Sequence, residues 1–407
     1  MSKKPQDRRT FIKTMAGGAV VWRSSLAGLL GAGQSAPPRV EKDGMFYRRL
    51  GRTELLVSEI SLGSSPISDP DLLRAIVDRG VNYIDTSHNY DNGNAERQIG
   101  RLLKDVGRDK VHVATKFHVA PRDTPASIMA SVHGSLKRLD IETIDVLMIH
   151  GAETAGVLVD ERVLAAYEQL KREGAYRFRG LSCHANQDEV VRKAVDCGLY
   201  DMVQVGYNVF DIQESAREVE TYPDYLGASG IRALLELAHS RGVGVVAMKT
   251  LKVGGRRQNL EKYKTGTASL YQAMLKWVLD DNRVTSAVTE ILNRQQMEED
   301  LGAAGAKLAA AERTTLARYV RENGKDYCHG CARCLRACPS GVATTAILHA
   351  LAYHESYGKT VRARDSYASL GSGEKASACR DCGACEKACP YGVAVRSRVR
   401  EAGRILA

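Results

Sequence analysis

The sequence predicts an α/β fold: a (β/α)8 TIM barrel followed by a small cysteine-rich domain. Three observations carry this expectation. Between residues 45 and 310, eight short apolar runs alternate with amphipathic helical patterns, which suits such a barrel in count and length. Most of those runs lack strict apolar–polar alternation, as expected of parallel strands buried on both faces. Near the C-terminus, eight of ten cysteines stand in two matching runs: Cys328, Cys331, Cys334 and Cys338 before Pro339, and Cys379, Cys382, Cys385 and Cys389 before Pro390. The 407 residues are enough for one large domain and one small one.

The first forty residues are of a different kind. Arg8 and Arg9 lead into Thr10, Phe11, Ile12 and Lys13, then a moderately apolar stretch through Gly33. This resembles a twin-arginine export signal, with a basic tail as the plainer reading. Arg23 interrupts the stretch and makes it a poor membrane helix. A signal and linker are expected over residues 1–36, with the mature chain in the periplasm or another extracytoplasmic space. If the segment is not read as a signal, the chain stays cytoplasmic. These forty residues carry seven Lys/Arg and one Asp, so without them the formal charge falls from +10 to +4. No basic block then argues for a nucleic-acid partner, and no stable membrane span is expected.

The strand candidates are Glu59–Gly63, Val81–Asp85, Val111–Lys116, Asp145–His150, Phe178–Cys183, Met202–Asn208, Gly244–Lys249 and Thr285–Glu290. Helical patterns between them include Ala126–Leu139, Glu161–Glu173, Gln187–Cys197, Ile231–Arg241 and Leu270–Leu279. A doubly wound open sheet would more typically carry a Gly-rich dinucleotide loop after its first strand, which Leu62-Gly63-Ser64-Ser65 does not supply. The barrel is expected over residues 45–318 and the small domain over 319–407.

Asp85, Lys116, His150, Ser182 and Asn208 fall at the C-terminal ends of their strands, and Tyr90 follows Asp85 by five residues. In a barrel those ends converge on one mouth, where active sites sit. Any one of them could simply cap the next helix. Ionisable groups on three consecutive strand ends point further. A tyrosine, with an unperturbed pKa of about 10, is a weak acid for protonating an alkoxide. A neighbouring ammonium such as Lys116 would favour the phenolate. Asp85 can hold Lys116 by a charge-assisted bond, and His150 can orient a carbonyl oxygen or relay a proton. The set reads as a device for moving a proton to or from a carbonyl oxygen while hydride moves at carbon.

On these residues the segment from Leu50 to about Ala304 resembles an aldo-keto reductase. Leu50-Gly51-Arg52-Thr53 through Ser58 and Gly63 is similar to that family's opening, and Asp85-Thr86-Ser87-His88-Asn89-Tyr90, with Glu96 and Gly100, to the segment bearing its catalytic Asp and Tyr. The resemblance makes Asp85, Tyr90, Lys116 and His150 a catalytic tetrad, and it implies NAD or NADP as cofactor and a small carbonyl or alcohol substrate, such as a sugar or polyol. Ser182 and Gln204 match residues that hold the nicotinamide carboxamide, and Tyr207 the aromatic on which its ring stacks. The family's Asn position is Cys183. Met248-Lys249-Thr250-Leu251, with Gly254 and Gly255, resembles the pyrophosphate-covering segment, so Lys249 and Leu251 are expected cofactor contacts. The 2'-phosphate positions fall on Thr289, Glu290, Gln296 and Asp300. A carboxylate at Glu290 would repel a 2'-phosphate, which favours NAD(H), while family habit favours NADP(H); Arg294 is the nearest compensating cation in sequence.

Both cysteine runs read C-x2-C-x2-C-x3-C-P and resemble the runs by which two-cluster bacterial ferredoxins hold [4Fe-4S] centres. Zinc is the alternative ligand for four thiols. The likeness makes the C-terminal part a small ferredoxin-like 2x[4Fe-4S] domain. By analogy Cys338 serves the second cluster and Cys389 the first, with a four-and-four assignment as the alternative. Thr344 to about Tyr357 reads as a helix ended by Gly358, inside an insert longer than a minimal ferredoxin needs. The clusters can carry electrons, with a redox partner docking at this domain, or staple a domain of little apolar content. Free nicotinamide is scarce outside the cytoplasm. Export therefore implies a cofactor bound beforehand and recycled in place, or clusters that pass its electrons to a partner, or an N-terminus that is no signal. The competing reading is an electron-transfer or scaffold protein with a non-catalytic barrel.

Overall fold

The computed structural model describes residues 39–65, 69–214, 230–251, 260–266 and 268–407. Val40–Lys42 (β1), Met45–Arg49 (β2) and Leu56–Ser58 (β3) form an antiparallel sheet in that order. No strand pattern announced it: β1 is fully exposed and only three residues long. The sheet covers the N-terminal end of a barrel. Leu50, Leu55 and Val57 join a buried cluster with Tyr83, Val146, Met148, Met202 and Val246. The Arg52 N–H donates to Gly242 O at 2.6 Å. Gly51 is needed there because a Cβ would stand 2.2 Å from Gly244 N.

The barrel strands are β4 (Ile60–Gly63), β5 (Tyr83–Asp85), β6 (His112–Phe117), β7 (Ile144–Ile149), β8 (Tyr176–Cys183), β9 (Met202–Gly206), β10 (Gly244–Met248) and β11 (Ser286–Thr289). Each pairs in parallel with the next, and β11 closes on β4. All eight expected strands are present, with ends shifted by no more than two residues. Outside them lie α1 (Pro70–Asp78), α2 (Asn94–Val106), α3 (Pro125–Leu139), α4 (Glu161–Arg172), α5 (Gln187–Cys197), α6 (Ile231–Ser240), α7 (Leu270–Asp280), α8 (Arg294–Leu301) and α9 (Ala310–Asn323). Side chains of Asp69, Thr124, Asp160, Ser269 and Asn293 cap five of their N-termini, satisfying orphan backbone donors.

The expected domain break at 318/319 falls inside α9. Leu316, Tyr319 and Val320 belong to the barrel's core, and Glu312 pairs with Lys276 of α7 at 2.8 Å. An amphipathic pattern says that a helix buries one face, not which core receives it.

Beyond α9 stand α10 (Arg333–Arg336), α11 (Thr344–Glu355), α12 (Thr360–Ala368), α13 (Ala384–Lys387) and α14 (Val395–Leu406). This part has a core of its own, with Ile347, Leu348, Leu351, Tyr367, Val395 and Val399 buried together, so the expectation of little apolar content does not hold. The helix expected to reach Tyr357 ends at Glu355, and α12 was not foreseen. Among the described residues no helix is long and apolar enough to cross a membrane. The twin-arginine segment and Gly254 and Gly255 lie outside the described residues.

Candidate active site

Asp85 ends β5, Lys116 lies near the end of β6, and His150 follows β7. Tyr90 is set by a tight turn in which Asp91, Asn92 and Gly93 have φ of 49°, 52° and 80°, a left-handed run that costs about 1 kcal/mol or more at each non-glycine. The turn opens α2. There the buried Glu96 accepts hydrogen bonds from Thr115 and Arg138 at 2.6 and 2.7 Å. A Cβ at Gly100 would meet Leu139 O at 2.6 Å, so glycine lets α2 lie against α3.

The four expected catalytic side chains meet. Lys116 Nζ is 2.7 Å from Asp85 Oδ1 and donates to Thr86 O at 2.7 Å. Its ammonium lies 5.0 Å from the Tyr90 ring centroid. Burial works against the charge on Lys116, but Asp85 and Tyr90 outweigh it and hold the ammonium above the usual lysine range. The His150 ring stands edge-on to Tyr90 at 5.8 Å and stacks on His118 at 4.3 Å. Burial first, then Lys116 and His118, push His150 well below the usual imidazole range, and burial takes His118 down to about 4. Both rings are therefore neutral at pH 7. His150 Nδ1 lies 3.1 Å from Ser87 Oγ, which also reaches Asn89 Oδ1 at 2.8 Å. The hydroxyl has one proton for these two acceptors, and where it goes sets the His150 tautomer.

A cavity of ≈ 300 Å³ runs along the mouth beside Asp85, Tyr90 and Lys116. Of the expected cofactor contacts, Ser182, Gln204, Lys249, Leu251 and Glu290 line it. Ser182 Oγ accepts from Gly151 N at 3.0 Å. Among the described residues, the buried Gln204 Oε1 has no hydrogen-bond partner, which makes it an acceptor well suited to a carboxamide N–H. Lys249 sits at φ 58°, in the left-handed region. Two expected contacts fall elsewhere. Tyr207 is buried against Trp277 and donates to Asp281 Oδ2 at 3.0 Å; the apolar side chains lining the cavity include Met248, at the end of β10, with Leu251, Val288 and Leu292. Asp300 is fully buried on α8, one turn beyond the lining residue Gln296, and does not line the cavity. The Cys183 thiol turns to Ala185 O at 2.9 Å, and Asn208 caps a turn through Phe210 N at 3.1 Å. Arg294 is exposed and does not line the cavity; the cation facing Glu290 is Lys359.

Lys359 belongs to the segment between the cysteine runs, and sequence reasoning missed its part. That segment covers the mouth. Tyr353, Ser356, Tyr357, Lys359 and Arg362 line the same cavity as Tyr90. Lys359 bonds both Glu290 and Ser65 O. Arg362 Nη1 donates to Ser65 Oγ at 2.8 Å, and Tyr353 OH accepts from Lys249 Nζ at 2.9 Å. The signal available in the sequence was the excess length of the insert with its Tyr, Lys and Arg residues.

The thiols group across the two runs. Cys338 lines one small cavity with Cys379, Cys382 and Cys385. Burial raises the Cys389 thiol, and the neighbouring Cys331 and Cys334 add to it. Gly330 N and Thr344 Oγ1 donate to Cys328 and Cys334 sulfurs at 3.4 and 3.1 Å, donors of the kind that stabilise thiolates on an iron–sulfur centre. Among the described residues, no three Cys, His, Asp or Glu side chains close to the spacing of a single ion. The first run docks on the barrel: Asn186 N donates to Gly330 O at 3.2 Å, and Arg336 to Asn186 Oδ1 at 3.1 Å. A second cavity, of ≈ 250 Å³, joins Cys328 to His184, Lys249 and Tyr353.

Residues 63–265 match the aldo/keto reductase family, and residues 327–394 match the 4Fe-4S dicluster domain. A probable aldo-keto reductase 1 of Glycine max is 27% identical over 301 residues, covering 64% of this chain and 85% of its own length. The NADH-specific methylglyoxal reductase of Escherichia coli (strain K12) is 28% identical over 326 residues, covering 67% and 97%. A thermostable aldo-keto reductase solved with the inhibitor epalrestat superposes with a TM-score of 0.53 at 25% identity, over 67% of this chain and 98% of that one. The holo form of an aldo-keto reductase from Bacillus halodurans gives 0.52 at 24%, over 67% and 95%, a likeness of fold. Residues 63–265 of the barrel are therefore an aldo/keto reductase domain, and residues 327–394 a 4Fe-4S dicluster domain.

Proposed function

We propose that this oxidoreductase interconverts a carbonyl and an alcohol with Tyr90 as the proton donor and acceptor. The observation that carries the reading is the meeting of Asp85, Lys116 and Tyr90 beside one cavity, with His150 edge-on to the Tyr90 ring. A nicotinamide held there supplies or takes the hydride. Ser182 and the bare Gln204 oxygen suit its carboxamide, with Met248 as the apolar face beneath its ring. In reduction Tyr90 gives its proton to the carbonyl oxygen as hydride reaches carbon, and Lys116 stabilises the phenolate left behind. Asp85 keeps Lys116 charged and in place, and neutral His150 orients the oxygen by a hydrogen bond. Replacing Tyr90 by Phe should lower turnover by about 10²–10⁴-fold with iron content unchanged; retained turnover would remove the tyrosine mechanism.

NAD(H) is the favoured cofactor, supported by Glu290 at the cavity wall and by the NADH-specific relative. Lys359 matches the charge of Glu290, so the preference is modest. Two [4Fe-4S] clusters with exchanged fourth ligands fit the grouping of Cys338 and Cys389. The shared cavity of Cys328, His184 and Tyr353 supports passage of electrons between the first cluster and the mouth, with a redox partner at the cluster domain. Export through the Arg8-Arg9 segment remains part of this reading. Iron, sulfide, NAD and NADP measured in anaerobically purified protein test it: two cubanes and retained NAD are expected, whereas zinc or a nucleotide-free barrel contradicts it.

A further inference from the structure

The half-buried arginines of this molecule mostly end on carboxylates. Arg48 meets Glu59 at 2.6 Å, Arg138 meets Glu96 at 2.7 Å, and Arg283 meets Asp281 at 2.6 Å. Arg362 differs. Its guanidinium lies between two rings, 5.3 Å from the Tyr90 centroid and 4.6 Å from that of Tyr353; its hydrogen bonds go to hydroxyls, Ser65 at 2.8 Å and Tyr90, with Glu290 a more distant charge. Of the other cavity cations, Lys116 is matched by Asp85 and Lys359 by Glu290, while Lys249 donates to the Tyr353 hydroxyl. Among the described residues no carboxylate stands within ion-pair distance of Arg362. A guanidinium fixed by stacking, with donors left over and facing a cavity, is built to take a planar anion by two parallel bonds. Its place beside Tyr90 puts it at the hydride end of the cavity; Lys249, an expected pyrophosphate contact, reaches the same Tyr353.

Resting on the hydride-transfer reading above, we propose that Arg362 binds a carboxylate of the substrate. The substrate class is then an acid whose reacting carbonyl or alcohol carbon lies next to the carboxylate or one carbon from it, the 2-oxo and 2-hydroxy acids being the shortest. The element that sets specificity comes from the cluster domain rather than from a barrel loop.

Oxamate and its neutral isostere oxamide separate this proposal from the mechanism, because their binding needs no turnover. Binding is measured by calorimetry on cluster-loaded protein saturated with NADH. Oxamate should bind and oxamide should not. Arg362→Gln should weaken oxamate on the order of 10²-fold, and Arg362→Lys roughly tenfold, since an ammonium keeps charge but loses the fork. Iron content and melting temperature confirm that both variants are folded; should Arg362→Gln fail to fold, Arg362→Lys alone decides. Equal affinity for the two ligands, or unchanged oxamate affinity in the variants, overturns the proposal. So does displacement of NADH by oxamate, which would assign Arg362 to the cofactor phosphates. A Tyr90→Phe protein that turns nothing over should still bind oxamate, so the failure of either idea is distinguishable from failure of the other.

Discussion

The two ends of the barrel are closed by opposite chemistries. At the N-terminal end Leu50, Leu55 and Val57 are almost entirely removed from solvent, and Arg48 clamps Glu59 and the carbonyls of Leu279 and Val284. At the C-terminal end the cover meets the barrel through Lys359, Arg362 and Tyr353, over a cavity of ≈ 300 Å³. Apolar burial of about 1.5–3 kcal/mol per side chain makes the first a permanent seal. Polar contacts across a partly solvated cleft, worth roughly 0–1 kcal/mol each, make the second the weaker closure. Stability and function are therefore assigned to different ends of the same strands.

Substitutions can break that division. Tyr90→Phe should remove most turnover and leave the urea midpoint where it was. Leu50→Ala should do the reverse, costing about 2–5 kcal/mol of unfolding free energy while turnover per folded molecule is kept. If Leu50→Ala abolished turnover in protein shown to be folded, the two ends would not be independent.

Smaller effects sharpen the account of the cover. Lys359→Met leaves Glu290 unmatched, so the ratio of NADPH to NADH dissociation constants should rise about threefold to tenfold, read by fluorescence titration. An unchanged ratio would mean that Glu290 does not face the adenosine ribose. The Tyr353 phenol is depressed to about 8: burial would raise it, but Lys249 and Arg362 favour the phenolate more strongly. A phenol lower in the folded chain than the unfolded value of about 10 adds stability as pH rises from about 8 towards 10. That contribution is lost as pH falls through about 8. Hydrogen exchange of the α11 and α12 amides should therefore slow across this range relative to the chemical rate, and Tyr353→Phe should flatten the change.

The barrel was legible because each strand is a compact apolar run bounded by turns, and Asp85, Lys116 and His150 could be placed by their position on those runs. The cysteines were legible because each run is compact in the sequence. What was missed is non-local or chemically ambiguous. Tyr207 at a strand end looks the same whether its ring faces a cavity or Trp277. Met248 carries no signal beyond being apolar. The pairing of Arg362 with Ser65 spans 297 residues, and no periodicity reports a contact of that range. The sheet of β1–β3 escaped because its strands are three to five residues long and β1 buries nothing.

The covering helices α11 and α12 lie between the two cysteine runs, and Thr344 at the start of α11 donates to Cys334 sulfur at 3.1 Å. The start of the cover is thus moored at a thiol. Oxidative damage at that mooring would slacken the roof over Tyr90 and let water in, whether or not an electron ever travels that way. Air exposure should then silence a reaction whose own chemistry uses no iron.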